Sequence, residues 1–183
     1  GCDQGCYDYF VDPTKEHISC LRNPAVGHEK EMELKKTDSP KKVMLIGGGI
    51  AGIEAAEILK KRGHEPVVYE KEDHLGGQFL LAGVAPRKQD VLMATQMAAE
   101  NIKNSGVEIH LNTEITPNLI EEIKPDEVIV ATGAKALIPE IPGVDQSFVT
   151  DAHTILKEET KLSGKIVVIG GGLVGLEVAE YLK

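Results

Sequence analysis

The chain contains one strand–turn–helix segment twice. Lys42-Val-Met-Leu-Ile-Gly-Gly-Gly-Ile-Ala-Gly-Ile-Glu54 returns as Lys165-Ile-Val-Val-Ile-Gly-Gly-Gly-Leu-Val-Gly-Leu-Glu177. Each copy runs from an apolar strand through G-x-G-x-x-G into a helix. The glycines are Gly47, Gly49 and Gly52 in one copy, and Gly170, Gly172 and Gly175 in the other. A single such motif is weak evidence. Two, each in strand–turn–helix context, imply two dinucleotide sites, the arrangement needed to pass electrons between a nicotinamide and a flavin.

The pattern around the first copy predicts an α/β fold. Val43–Ile46 reads as a short buried strand, and Ile50 to about Arg62 as a helix stopped by Gly63. Ile50, Ile53, Ala56 and Leu59 mark its apolar face, while Glu54, Glu57, Lys60 and Lys61 stay wet. Pro66–Glu70, Val107–Leu111 and Glu127–Ala131 read as further strands. Residues 88–105 read as a second helix, with Met93, Met97, Ala98 and Ala99 as candidates for its inner side. Strands alternating with helices predict a Rossmann-like parallel sheet with helices on both faces.

In the first copy each glycine has its own task. Gly47 permits the tight turn, Gly49 lets backbone approach a pyrophosphate, and Gly52 lets the helix pack close. The helix N-terminus, with Gly48, Ile50 and Ala51 around it, offers free N–H groups and roughly +0.5 charge to phosphates. Glu70 closes the next strand, at the spacing of about 20 residues where an acid accepts ribose hydroxyls and repels a 2′-phosphate. The site therefore suits FAD, ADP or NAD better than NADP. A glycine-rich βα turn with no ligand is the plain alternative. The joint presence of strand, three glycines, helix, second strand and acid argues against it.

Bulk properties exclude several classes. The net charge of −9, with no basic block, argues against nucleic acid or an anionic membrane as partner. No apolar run is long enough to span a bilayer and no signal peptide opens the sequence, so a cytoplasmic protein is expected. The six histidines form no metal spacing with one another, and no serine sits in a nucleophile elbow. No catalytic residue is assigned. His153 beside Asp151 reads as a solvated loop residue or a polar pair. Arg87 and Lys88 belong either near a cofactor phosphate or on the surface.

Two shorter elements accompany the glycine turn: His74-Leu-Gly-Gly-Gln78 directly after the acid, and Val128-Ile-Val-Ala-Thr-Gly133 at the end of a strand. Together, GGGxxG, acid, LGGQ, ATG and a second GGGxxG resemble the two-dinucleotide-binding flavoproteins. The resemblance covers about residues 42–183. It implies FAD in the first site, held by Gly47, Gly48, Gly49, Ile50, Ala51, Gly52, Glu70, Lys71, Gly76, Gly77, Gln78, Ala131, Thr132 and Gly133. Ile115 would offer backbone to the adenine. Gly170, Gly172 and Gly175 would belong to an NAD(P)H site whose remainder lies beyond Lys183.

The three cysteines, Cys2, Cys6 and Cys20, all lie in the first twenty residues. Such clustering suggests a metal or cluster site more than a disulfide framework, though one ligand is lacking for a four-cysteine cluster. The stretch Cys2-Asp-Gln-Gly-Cys6 … Ser19-Cys20-Leu-Arg-Asn-Pro-Ala-Val-Gly-His-Glu29 resembles the 2-enoate reductase and 2,4-dienoyl-CoA reductase group, with trimethylamine dehydrogenase. That likeness implies a 4Fe-4S cluster with its remaining cysteine before Gly1. It also implies a barrel carrying FMN, and electron flow from NAD(P)H through FAD and the cluster to FMN and a C=C bond. In the dehydrogenase branch the first nucleotide site holds ADP instead.

The expected organisation is an irregular cysteine-bearing segment and linker over residues 1–40, an FAD-binding domain over 41–150, and the start of an NAD(P)H domain over 151–183. The chain is thus expected to be a fragment, inactive alone, that binds flavin and nicotinamide nucleotides. Its first residues, 1–36, should pack weakly. The strand Lys165–Ile169 should add to the first sheet or to that of another copy, making a homo-oligomer. The rival class is an ADP-holding structural module with no redox role. A disulfide reductase is disfavoured because no cysteine follows Cys20.

Overall fold

The computed structural model describes residues 5–12, 14, 17–157 and 162–183. At its centre are four parallel strands: β1 (Lys42–Ile46), β2 (Glu65–Tyr69), β3 (Glu108–His110) and β4 (Glu127–Val130), in the order β3-β2-β1-β4. Met44 pairs with Val67 of β2 and with Val128 of β4, so β1 is one of the two inner strands. The strand order reverses between β1 and β4. Ligands of open α/β sheets bind in the crevice that such a reversal leaves at the carboxyl ends.

Helix α2 (Ile50–Lys61) joins β1 to β2 and buries Gly52, Ile53 and Ala56. Between β2 and β3 lie α3 (Gln78–Val84) and α4 (Gln89–Asn104). Val43, Leu45, Val68, Ile53, Ala56, Ala99 and Ile102 form one core, which places α2 and α4 on the same face. The return from β3 to β4 passes through α5 (Pro117–Ile123), capped by Thr116 and started by its proline. By the right-handed crossover rule that connection runs over the opposite face. The α/β parallel sheet is the one the sequence predicts.

Four expectations need correction. The inner face of α4 is Thr95, Ala99 and Ile102, whereas Met93 and Met97 are 57% and 52% exposed. Residues 1–40 are not wholly irregular, because α1 (Gly5–Val11) is helical. His153 is no loop residue: it lies in α6 (Ala152–Leu156), and its backbone N–H, not its ring, bonds Asp151 Oδ1 at 2.8 Å. Residues 165–169 form no strand and do not join the first sheet. Val167 and Ile169 stand 75% and 72% exposed. A strand needs a neighbour's backbone groups, and among the described residues none is offered to this segment.

The last helix, α7 (Leu173–Tyr181), packs with α6 through Ile155, Leu156 and Val178, and against Leu81 of α3. Asp151 caps α6 with bonds from the N–H groups of His153 and Thr154 and from the Thr154 hydroxyl. Burial opposes ionisation of this carboxyl. The bonds from Thr154 and His153 outweigh that effect and hold it below the usual aspartate range. A lowered folded-state value means the cap contributes fully above about pH 4 and is lost as pH falls through that value. Asp151→Ala should cost about 1 kcal/mol at neutral pH and less once the pH falls below the ordinary aspartate range, read by urea unfolding. Ile102→Ala should cost about 2–5 kcal/mol and Met97→Ala under about 0.5.

Candidate functional site

The first glycine turn closes where β1, α2 and β4 meet. Gly47 has φ +112, a left-handed conformation that disfavours other residues. A β-carbon there would lie 2.3 Å from Ala131 O, and one on Gly52 would lie 2.0 Å from Gly47 O. Neither can carry a side chain. Gly49 is different: a β-carbon would meet nothing within 4 Å, and its φ of −72° suits any residue. The fold does not need a glycine at Gly49, so the open space beside it is what the glycine preserves. Gly49 also serves as the α2 N-cap without any side-chain bond, leaving the first N–H groups of a three-turn helix facing that space.

Glu70 stands just past β2, 7% exposed. Its Oε2 accepts from Gly48 N–H at 2.6 Å and its Oε1 from Glu72 N–H at 2.9 Å. Its own backbone is held from both sides, donating to His110 O at 2.9 Å and accepting from Thr113 N–H at 2.8 Å. Every carboxylate oxygen keeps a further lone pair, so ribose hydroxyls can still donate to it. Behind it Tyr69 and His110 stack with ring centroids 4.9 Å apart, and burial, with Glu108 nearby, pushes the Tyr69 hydroxyl above its usual value.

The other predicted residues gather around this turn. Gly76 forms a parallel bridge with Gly49 and donates to Gly48 O at 2.8 Å. Gly76 and Gly77 both have positive φ, at +115 and +55, and Gly77 sits against Gly49. Gln78 Nε2 donates to Ala134 O, joining the LGGQ loop to the turn after Ala131, Thr132 and Gly133. Ala131 N–H bonds Ile46 O at 2.8 Å, and Gly133 has φ +74. Ile50 and Ala51 start α2. Lys71 is exposed and pairs with Glu72 at 3.5 Å, and Ile115 lies in the segment that Thr113 anchors to Glu70.

The second turn has the same local geometry, and among the described residues nothing lies within 4 Å of a β-carbon built on Gly170, Gly171 or Gly172. Gly170 has φ +115, and a Gly175 β-carbon would lie 2.0 Å from Gly170 O, as at Gly52. Gly172 caps α7 in an extended conformation, as Gly49 caps α2. Arg87 and Lys88 do not turn to the first site: they pair with Glu180 and Glu177 of α7. Cys2 lies outside the described residues. Cys6 and Cys20 are free, partly exposed thiols. Gly5 O accepts a bond from Ser19 Oγ at 3.0 Å, so the backbone bearing the two cysteines is tied together.

Two supporting residues escape the sequence reading. Thr95 is 1% exposed, and its methyl faces Gly76, where a β-carbon would come within 2.8 Å. Its hydroxyl is satisfied by Val91 O at 2.8 Å, one helical turn back. The spacing of Thr95, Ala99 and Ile102 is the signal that could have found it. Leu92 packs so close to Gly83 that a β-carbon there would lie 2.5 Å away, and this fixes α3 on α4 behind the LGGQ loop.

The sequence profile of the pyridine nucleotide-disulphide oxidoreductase family matches residues 41–183. The chain belongs to that family. The matched stretch holds no cysteine, so it contains no redox-active cysteine pair of its own. Bilirubin reductase of Mediterraneibacter gnavus is 42% identical over 99% of this chain and 28% of its own length. Cinnamate reductase of Clostridium sporogenes is 40% identical over 100% of this chain and 27% of its own length. The structure of a 2-naphthoyl-CoA reductase superposes with a TM-score of 0.91 at 35% identity, over 99% of this chain and 27% of that one. The chain thus spans little more than a quarter of these enoate-reductase-type relatives. Among the described residues no helix is long and apolar enough to cross a membrane.

The contrast between glycines yields a test. Gly49→Ala should leave urea-unfolding stability within about 0.5 kcal/mol of wild type yet weaken ADP binding at least about tenfold in calorimetry. Gly52→Ala should instead destabilise the domain, because its methyl meets backbone.

Proposed function

We propose that this chain is the FAD-binding portion, with the start of the NAD(P)H-binding portion, of an iron–sulfur flavoprotein oxidoreductase of the enoate reductase type. The observation that carries the reading is the open space at Gly49, between an uncapped helix N-terminus and the Glu70 carboxylate. A diphosphate fits beside the first and an adenosine ribose beside the second. Gly47 to Gly52 would hold the diphosphate, and Glu70 the ribose. The loops at Gly76–Gln78 and Ala131–Gly133 would enclose the far half of the dinucleotide. When bound, FAD supplies a group that takes a hydride from a reduced nicotinamide and releases electrons singly.

What this chain's own residues do is bind and orient. The α2 N–H groups and dipole offset phosphate charge, Glu70 selects an unphosphorylated ribose, and the strained glycine loops keep backbone close. We place the FAD domain at residues 41–150 and the nicotinamide domain from 151 onward. Residues 1–40 would carry Cys2, Cys6 and Cys20 as ligands of a 4Fe-4S cluster. Reduction of a C=C bond, with FMN, would belong to the whole protein. Similarity to the bilirubin, cinnamate and 2-naphthoyl-CoA reductases supports that class.

A second reading keeps ADP in the same site with no redox role. It follows the amine dehydrogenase branch of the resemblance, and similarity to a 6-hydroxypseudooxynicotine amine oxidase from Pseudomonas geniculata, with a TM-score of 0.70 at 26% identity, keeps that branch in view. Titrating the purified chain with FAD separates the two. The flavin reading expects a structured visible spectrum and quenched flavin fluorescence, both reversed by excess ADP. Binding of ADP with exclusion of FAD would instead establish the second. Under either, Glu70→Ala should weaken ADP binding by about tenfold to a hundredfold, the worth of bonds to a charged acceptor.

A further inference from the structure

Glu177 and Glu180 occupy in the second glycine segment the places that Glu54 and Glu57 hold in the first. In the first copy those places stay local: Glu54 is exposed, and Glu57, 32% exposed, pairs within its own helix, with Lys61 at 2.5 Å. In the second copy both carboxylates reach another part of the molecule. Glu177 Oε1 lies 2.6 Å from Lys88 Nζ, and Glu180 Oε1 lies 3.1 Å from Arg87 Nη2. Arg87 and Lys88 form the elbow between α3 and α4, and Arg87 takes a left-handed φ of +62° to make it.

The two pairs are not equal. The side chains of Arg87 and Glu180 are 86% and 47% exposed, so water and salt screen most of their attraction. Those of Lys88 and Glu177 are 30% and 27% exposed and are shielded much better. Next to them the same helix sets Val178 and Tyr181 into a small apolar cluster with Ile155, Leu156 and Leu81 of α3. Three buried residues make a modest contact, so orientation depends on the charges as well as on the apolar patch.

We infer that the Arg87–Lys88 elbow is the docking site that holds the second glycine-turn helix in one orientation against the first nucleotide unit, with Lys88–Glu177 as its orienting pair. The inference rests on the reading of two nucleotide units in one chain. It makes Lys88 a positioning residue for the second unit, with its ammonium committed to a protein carboxylate and not to a cofactor phosphate. It also accounts for the difference between copies: Glu57 pairs inside α2, whereas both carboxylates of α7 pair with cations of the elbow.

Amide hydrogen exchange of α7 in the 183-residue chain tests this. Lys88→Glu and Glu177→Lys should each speed exchange across Leu173–Tyr181 by about tenfold, through a lost pair plus like-charge repulsion. The double exchange of charges should return it to within about threefold of wild type. A merely space-filling role would show no rescue, and a double variant that exchanges as fast as the single ones overturns the proposal. ADP titration on the same proteins keeps the outcomes apart. Affinity should be unchanged in Glu177→Lys, whereas a loss confined to variants lacking Lys88 would assign that lysine to the nucleotide and overturn the docking role. Failure of wild type to bind any nucleotide would count against the two-unit reading alone, since the exchange measurement uses none.

Discussion

The helix α2 sits where it does because two β-carbons are missing. Gly52 packs on the carbonyl of Gly47, and Gly47 packs on the carbonyl of Ala131. One point of contact thus fixes the end of β1, the start of the helix and the end of the neighbouring strand. The burial of Ile53 and Ala56 follows from it, since a helix held further out could not seat them between Leu45 and Val68. Sterics at this point are severe, because backbone cannot retreat as a side chain can. The space at Gly49 exists only because the two contacts beside it are closed.

Glu70 is the second fixed point, and it faces both ways. A nearly buried carboxylate is costly unless its oxygens are satisfied, and here backbone N–H groups of Gly48 and Glu72 satisfy them. The acid therefore braces the glycine turn before any ligand arrives. The LGGQ loop is braced from behind in turn, by Thr95 and by the close seat of Gly83 on Leu92. The LGGQ loop is thus held by residues that do not themselves border the open space, whereas the glycine turn is held by one that does.

Much of this was written in local pattern. The strands β1 and β2, the helix α2 and the glycine and acid positions all follow from short-range spacing, and the glycines also mark their own turns. What escaped was decided at a distance. Residues 78–84 are a helix because α3 packs on α4, a contact with no trace in the local sequence. Met93 and Met97 are apolar but lie off the face that meets the core, while polar Thr95 occupies it by bonding its own helix. The segment 165–169 has the composition of a strand and, among the described residues, lacks the neighbour that would make it one. At the site, the residue identities were legible. The bridge of Gly49 to Gly76 and the bond of Gln78 to Ala134 were not, because they join loops remote in sequence.

The second glycine turn has a consequence for assembly order. Gly170 and Gly175 reach their close contact, and Gly172 its capping conformation, without a sheet to lean on. Backbone ordered locally in advance does not have to be ordered again when a neighbouring strand arrives. The corner is therefore a preformed nucleus. A strand that paired with residues 165–169 would meet a chain whose direction reversal is complete, with only its edge left to match.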